Sequence, residues 1–174
     1  MPRLMVLGHA VIDHVFALGE TPAAAEKYRA TGYRAVGGGM AANAAVAIRR
    51  LGGEVLFCGR IGDDGAGRDI RAGLEAEGVD TSNLMARSGL ASPVSAVMVD
   101  PAGERTLANF TDPALFEGID GLPTRLDDDI KVVLTDYRWN AGAVHLLALA
   151  KDTGRISVLD FDRNAPRDLT LLAC

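Results

Sequence analysis

Two polar residues stand where packing alone would favour small or apolar ones. Asp13 lies inside the apolar run Val11 to Leu18, and Asn43 lies in the first turn of an alanine-rich helical segment that follows Gly37-Gly38-Gly39. Asparagine is a poor helix former compared with the alanines around it, so its presence asks for a use. Its amide donates to one hydroxyl and accepts from another, and an ionised carboxylate such as Asp13 accepts from two vicinal hydroxyls. That is the chemistry of polyol recognition. Taken alone, Asp13 fits a turn or surface carboxylate equally well. The glycines ahead of the helix let backbone N–H groups approach a ligand at the positive end of the helix dipole. The same run would also serve a close helix–sheet contact that needs only small residues.

A nucleotide reading of the glycines is weaker. Gly37, Gly39 and Ala42 match G-x-G-x-x-A, the dinucleotide fingerprint. That fingerprint follows a first strand directly, whereas more than thirty residues precede it here. Asp63-Asp64 comes at about the right distance for a ribose contact, but in a turn after Gly62 and not at a strand end. No glycine is followed by Lys and then Ser or Thr, so there is no P-loop.

The elements that must position these residues alternate. Leu4 to Leu7, closed by Gly8, reads as a buried strand. Thr21 to Tyr33 is polar and small and reads as an irregular or edge segment, after which the three glycines break the chain. Met40 to Leu51 carries Ala44, Ala47, Ile48 and Leu51 at helical spacing and stops at Gly52-Gly53. Glu54 to Ile61 is a strand, Asp63 or Asp64 caps a helix from Ala66 to Glu77, and Gly78 stops it. Val94 to Val99 and Thr106 to Phe110 flank Asp100-Pro101-Ala102-Gly103-Glu104 as a β-hairpin projecting from the sheet. Lys131 to Thr135 is a strand, Ala141 to Lys151 a helix and Ile156 to Phe161 a further strand. Such alternation predicts an α/β domain with a largely parallel sheet.

Gly38-Gly39-Met40-Ala41-Ala42-Asn43, then Arg50-Leu51-Gly52, then Gly59-Arg60-Ile61-Gly62-Asp63-Asp64-Gly65-Ala66-Gly67 is similar, in order and spacing, to the first signature of the PfkB or ribokinase-like sugar kinases. Gly8 and Asp13 resemble that family's opening strand and sugar-binding aspartate. Gly103-Glu104-Arg105-Thr106 resembles the turn of its lid, and the segments Leu134 to Trp139 and Val158 to Arg163 resemble strand ends lining its cleft. The resemblance covers the chain but only the N-terminal portion of a typical member. It implies an α/β, ribokinase-like fold with lid segments around 10–36 and 92–112, within one substrate-binding part spanning 1–174. It implies transfer of phosphate from ATP, with Mg, to a primary hydroxyl of a sugar or polyol. Asp13, Gly38, Gly39 and Asn43 are then expected to hold sugar hydroxyls, and a lid carrying Val97, Met98 and Arg105 to exclude water. Arg138 is either a sugar or phosphate contact or a surface arginine at a strand end. Asp136, Asp160 and Asp162 sit where open α/β sheets place ligands. Asp160 and Asp162 are candidates for the nucleotide or Mg side, though capping and solvation explain them equally well, and no metal ligand is assigned. A homodimer formed through the lids is the expected assembly.

The family's second signature, D-T-x-G-A-G-D, supplies an anion hole and a base, and it does not occur in the 174 residues. Asp152-Thr153-Gly154 opens similarly and continues as Arg155-Ile156. No catalytic residue is therefore assigned. The apolar ending Leu171-Leu172-Ala173-Cys174, after a helix start at Pro166 and Asp168, adds to the expectation of a kinase whose C-terminal half is missing. Two other readings stay open: a natural half-kinase that binds a sugar or a partner without catalysis, and, more remotely, a dinucleotide-binding domain.

Composition narrows the classes. Hydrophobic residues make up 48% and charged residues 24% of the chain, ordinary for a globular domain. The net charge of -5 comes with no basic cluster, which argues against nucleic acid. No apolar run has the length of a membrane span, and the opening Met-Pro-Arg-Leu-Met-Val-Leu-Gly is too short for a signal peptide. Cys58, in Val55-Leu56-Phe57-Cys58, is expected as a buried reduced thiol, and a cytoplasmic setting follows from that expectation.

Overall fold

In the computed structural model, which describes residues 3–162, the elements run β1 (Arg3–Leu7), β2 (Val11–Leu18), β3 (Ala30–Gly38), α1 (Met40–Arg50), β4 (Glu54–Gly62), α2 (Gly65–Ala76), β5 (Asp80–Arg87), β6 (Val94–Val99), β7 (Arg105–Phe110), a short 3-10 helix (Pro113–Phe116), β8 (Ile130–Asp136), α3 (Asn140–Asp152) and β9 (Ile156–Asp160). Apolar strands without polar alternation must be buried on both faces, and β1 shows how. Met5 and Leu7 point to one core with Leu56, Cys58 and the α3 residues Ala143 and Leu146. Val6 points to a second core with Phe57, Ala41 and Ala45 of α1, and Ile70 and Leu74 of α2. The strands form a parallel base sheet in the order β5-β4-β1-β8-β9. Small residues let α1 lie close to it, with Ala41, Ala42 and Ala45 buried.

The hairpin does not stand alone. β6 pairs in parallel with β2, and a second, four-stranded sheet forms in the order β3-β2-β6-β7. An isolated hairpin would be marginal in water, and the pairing with β2 supplies the missing support. Three further readings change. Gly37 and Gly38 belong to β3, so the chain breaks only at Gly39. Residues 30–33, read as part of an irregular or edge segment, are the start of that edge strand. β5 was not foreseen, because Asp80-Thr81-Ser82-Asn83 is polar in sequence and its pairing with β4 is what makes it a strand.

Ladder pairing fixes which residues share a face of this second sheet. Asp13, Ser95 and Asn109 align across it, as do Val15, Val97 and Leu107, and then Ala17, Val99 and Arg105, all on one face. Phe16, Met98, Thr106 and Tyr33 take the other. Val97 is 5% exposed. β6 is an interior strand, and Val97 is covered within the chain itself. Cys58 is buried as expected, and burial pushes its thiol up to about 12. Arg163, Pro166, Asp168, Leu169 to Leu172 and Cys174 lie outside the described residues. No helix of the described residues is long and apolar enough to cross a membrane.

Candidate functional site

The second sheet joins the base through four crossings, and Asp13, Gly38, Gly39 and Asn43 collect near two of them, from β1 to β2 and from β3 to α1. Asp13 lies on β2, with its carboxylate over Gly38: a Cβ on that glycine would come within 2.4 Å of Asp13 Oδ2. Gly39 caps α1 with φ of 99°, and a Cβ there would meet the His9 carbonyl oxygen at 2.3 Å and Ala10 Cα at 2.8 Å. Only glycine fits such a backbone and such an approach. Asn43 follows one turn later, its N–H donating to the Gly39 carbonyl at 2.9 Å. Its side chain is exposed and has no hydrogen-bond partner among the described residues. Gly37, Gly38 and Asn43 line a cleft of about 530 Å³ between the second sheet, α1 and α2, walled also by Ile12, Val46 and Leu74. Asp13 and Arg138 are outside that cleft.

Arg138 sits on the other side of the α1 N-terminus. It is exposed, its guanidinium stands 5.0 Å from the Tyr137 ring, and its own N–H donates to Asp136 Oδ1 at 2.9 Å. Asp136 resolves the choice between ligand and cap. It is fully buried, and its Oδ2 accepts from His9 N at 2.8 Å and from Ala41 N at 3.2 Å. It therefore ties the ends of β1 and β8 to the first turn of α1. Gly8 makes room for it, since a Cβ there would fall 2.3 Å from the carboxylate carbon. Burial raises the Asp136 carboxyl above its ordinary range, against the pull of the three backbone N–H groups and Arg138. Asp160 pairs with it in register but is exposed, and Asp162 is half-buried. No group of three acids, histidines or cysteines that could hold a metal ion occurs among the described residues.

Two residues escaped the sequence reading. Arg60 is fully buried, donates to the carbonyls of Leu115 and Asp120 at 3.3 and 2.7 Å and to Asp120 Oδ1 at 2.8 Å, and lies 4.2 Å over the Trp139 ring. It fastens the loop that leaves the second sheet to the base. The signal was an arginine in an otherwise apolar strand, Val55 to Ile61. His9, next to Gly8, reaches across to that same loop. Gly37 lies inside an edge strand of the second sheet, so the G-x-G-x-x-A match lacks the strand–turn–helix unit of the parallel sheet that a dinucleotide site needs.

Residues 1–124 match the model of the pfkB family carbohydrate kinases. The chain belongs to that family. Over 158 residues this family member is 28% identical to Fructokinase-1 of Zea mays, covering 91% of this chain and 46% of the relative. The crystal structure of an Agrobacterium tumefaciens protein assigned as a ribokinase superposes with a TM-score of 0.88 at 30% identity, over 98% of this chain and 55% of that one. The ribokinase of Cryptococcus neoformans, solved with ADP, gives 0.74 at 25% identity over 97% and 52%. The pfkB chain described here spans half the length or less of the curated relatives it matches.

Proposed function

We propose that this chain is the sugar-binding half of an ATP-dependent carbohydrate kinase. Asp13 and Asn43 hold the hydroxyls of a sugar or related polyol, Gly38 and Gly39 let the ligand approach the backbone, and the sheet β3-β2-β6-β7 is the lid. The single observation that carries this is the convergence of Asp13, Gly38, Gly39 and Asn43 at the crossing from β3 to α1, with an exposed, unpartnered amide on Asn43. Arg105 supports the lid assignment, since register puts it on the same face as Asp13. Relatives named as fructokinase and ribokinase support a sugar as the substrate class, and the ADP-bound relative supports ATP as phosphate donor. Arg138, exposed beside the buried Asp136, is proposed as a further contact for an anionic or hydroxyl group of the ligand. Asp160 and Asp162, at and just beyond the end of β9, are the candidates for the nucleotide or Mg side, since Mg needs only one or two carboxylates beside water and phosphate oxygens.

Phosphoryl transfer depends on charge stabilisation and positioning at the γ-phosphate. The anion hole and base of the family's second signature are not in this sequence, so transfer needs residues from elsewhere. Ile156 and Val158, 64% and 41% exposed on β9, are an apolar strand face of the kind a further layer covers. The chain by itself is expected to release no ADP from Mg-ATP with pentoses, hexoses or nucleosides. Sugar-dependent turnover near ~1 s⁻¹, the low end of kinase rates, would contradict this. A non-catalytic half-kinase would give the same silence, and differs in having no coding sequence for a G-A-G-D stretch downstream.

The assembly proposed is a homodimer in a cytoplasmic setting, through the lid face opposite Asp13, where Tyr33 and Phe110 are 60% and 52% exposed. Met98 shares that face. Met98→Lys is expected to leave a monomer in light scattering, while Leu107→Lys, on the Asp13 face, leaves the dimer intact. A dimer that survives Met98→Lys assigns the interface to another surface.

A further inference from the structure

Four crossings join the lid to the base. The one from β5 to β6 is pinned by side chains: Asp64 accepts from Ser92 N at 2.8 Å and Ser92 Oγ at 2.6 Å, and Ser92 Oγ accepts from Gly62 N at 2.8 Å. The other three meet at one residue. His9 begins the crossing from β1 to β2. Its carbonyl accepts from Ala42 N at 3.3 Å and lies against Gly39, where β3 passes into α1. Its imidazole Nε2 hydrogen-bonds Thr111 Oγ1 at 3.3 Å, where β7 leaves the lid.

The ring is also held from behind. Phe116 meets it edge-on with centroids 6.1 Å apart, Trp139 lies 5.9 Å beyond, and Arg60 closes the column over Trp139. The Trp139 indole N–H donates to the Gly118 carbonyl at 2.9 Å, and the His9 N–H donates to Asp136. Burial first, and then the charge of Arg138, push the imidazole down to about 4, so the ring is neutral near pH 7. A neutral ring pairs with a hydroxyl in either tautomer, as donor or acceptor.

We propose that His9 is a positioning residue for sugar binding: its imidazole holds the lid, and with it Asp13, in register with Asn43 and Gly39 on the base. The proposal rests on the sugar-binding reading of Asp13 and Asn43. It assigns His9 no contact with the sugar. Through Thr111 it fixes the end of β7, and through its carbonyl the start of α1, so the distance between the lid carboxylate and the base amide is set at a residue that touches neither. A sub-ångström displacement of binding groups is enough to weaken a preorganised site.

The test compares His9→Phe, which keeps the ring, with Thr111→Val, which keeps the shape of the partner, with the double variant, and with His9→Gln, which restores a hydrogen-bonding group near the Nε2 position. Hydrogen exchange of amides in β2, β6 and β7 is read against that in β1 and β4. His9→Phe and Thr111→Val are each expected to speed lid exchange about tenfold and to leave the base unchanged. The double variant adds little to either, and His9→Gln returns toward the parent. Unchanged lid exchange, or lid and base rising together, overturns the proposal. Calorimetry with D-fructose and D-ribose forms the second arm, with affinity expected to fall about tenfold in His9→Phe and Thr111→Val. Parent affinity in those variants also overturns it. If the parent binds neither sugar, the sugar-binding reading fails, and the exchange arm still decides whether His9 holds the lid.

Discussion

An Asp136→Ala chain is expected to melt about 10 °C below the parent. The carboxylate accepts three backbone N–H groups, from His9, Ala41 and Arg138, in a fully buried position. Removing it leaves those donors without acceptors, at about 1–3 kcal/mol for each buried unsatisfied group. Some of them recover water, so a total of about 3–5 kcal/mol is reasonable. For a domain of this size each kcal/mol moves the melting temperature by about 2–4 °C. Asp160→Ala is the control: it sits opposite Asp136 in the ladder but is exposed, and its loss should stay within about 0.5 kcal/mol. The pH dependence has a definite sign. Because burial raises the Asp136 carboxyl, its contribution is fully present below the ordinary carboxylate range and declines as pH rises through the raised value. His9 works the other way. Its native value near 4 lies below the ordinary 6.5, so its contribution is present above 6.5 and is lost as pH falls toward 4. A scan of melting temperature against pH for the parent and Asp136→Ala separates the two. An Asp136→Ala protein that melts with the parent would mean that the crossing from β1 to α1 is held by packing alone.

The second large effect falls on binding and leaves the fold unaffected. Asp13→Ala and Asn43→Ala are each expected to weaken sugar affinity by about 1–3 kcal/mol, the cost of leaving hydroxyls unpaired in a closed site, which is about 5- to 150-fold. Neither change should move the melting temperature appreciably. The Asn43 side chain is exposed and has no partner among the described residues, and Asp13 makes no side-chain hydrogen bond within them. The glycines sharpen the test. Gly38→Ala places a methyl group against Asp13 Oδ2, a movable side-chain atom, so it should displace the carboxylate and reproduce the Asp13→Ala affinity at little cost in stability. Gly39→Ala meets backbone atoms of His9 and Ala10 at a positive φ, so it should destabilise the fold as well. Equal stability losses for the two glycine changes would contradict this placement.

How much of this was legible in the sequence differs from element to element. The base-sheet strands β1, β4 and β8 and the three α-helices of the described residues were readable, because doubly buried strands are continuous apolar runs and the helices carry periodic faces with glycine stops. Gly52 and Gly78 indeed take positive φ just past α1 and α2, and Asp64 caps α2 through Gly67 N. The lid was half legible. Its hairpin was visible in the turn residues Asp100 to Glu104 between two strand-like runs, but the parallel pairing of β6 with β2 joins segments some eighty residues apart, which local pattern does not report. β5 was missed because its polar start looks like loop until β4 lies beside it. Asp13 and Asn43 stood out because each is a costly choice for packing alone, Gly38 and Gly39 because they belong to the family's signature, and the structure brings the four together where β3 passes into α1. His9 and Arg60 were missed for the opposite reason: their roles lie in contacts with Thr111 and with the loop from Leu115 to Asp120, which sequence spacing does not show.

A calorimetric titration of D-fructose and D-ribose into the parent chain and into Asp13→Ala, with NAD as the comparison ligand, tests the central claim most directly. Saturable binding of at least one sugar by the parent, weakened about 5- to 150-fold in Asp13→Ala, with no heat from NAD, is the result predicted. A parent that binds neither sugar, or binds one with the same affinity after Asp13 is removed, would contradict the account.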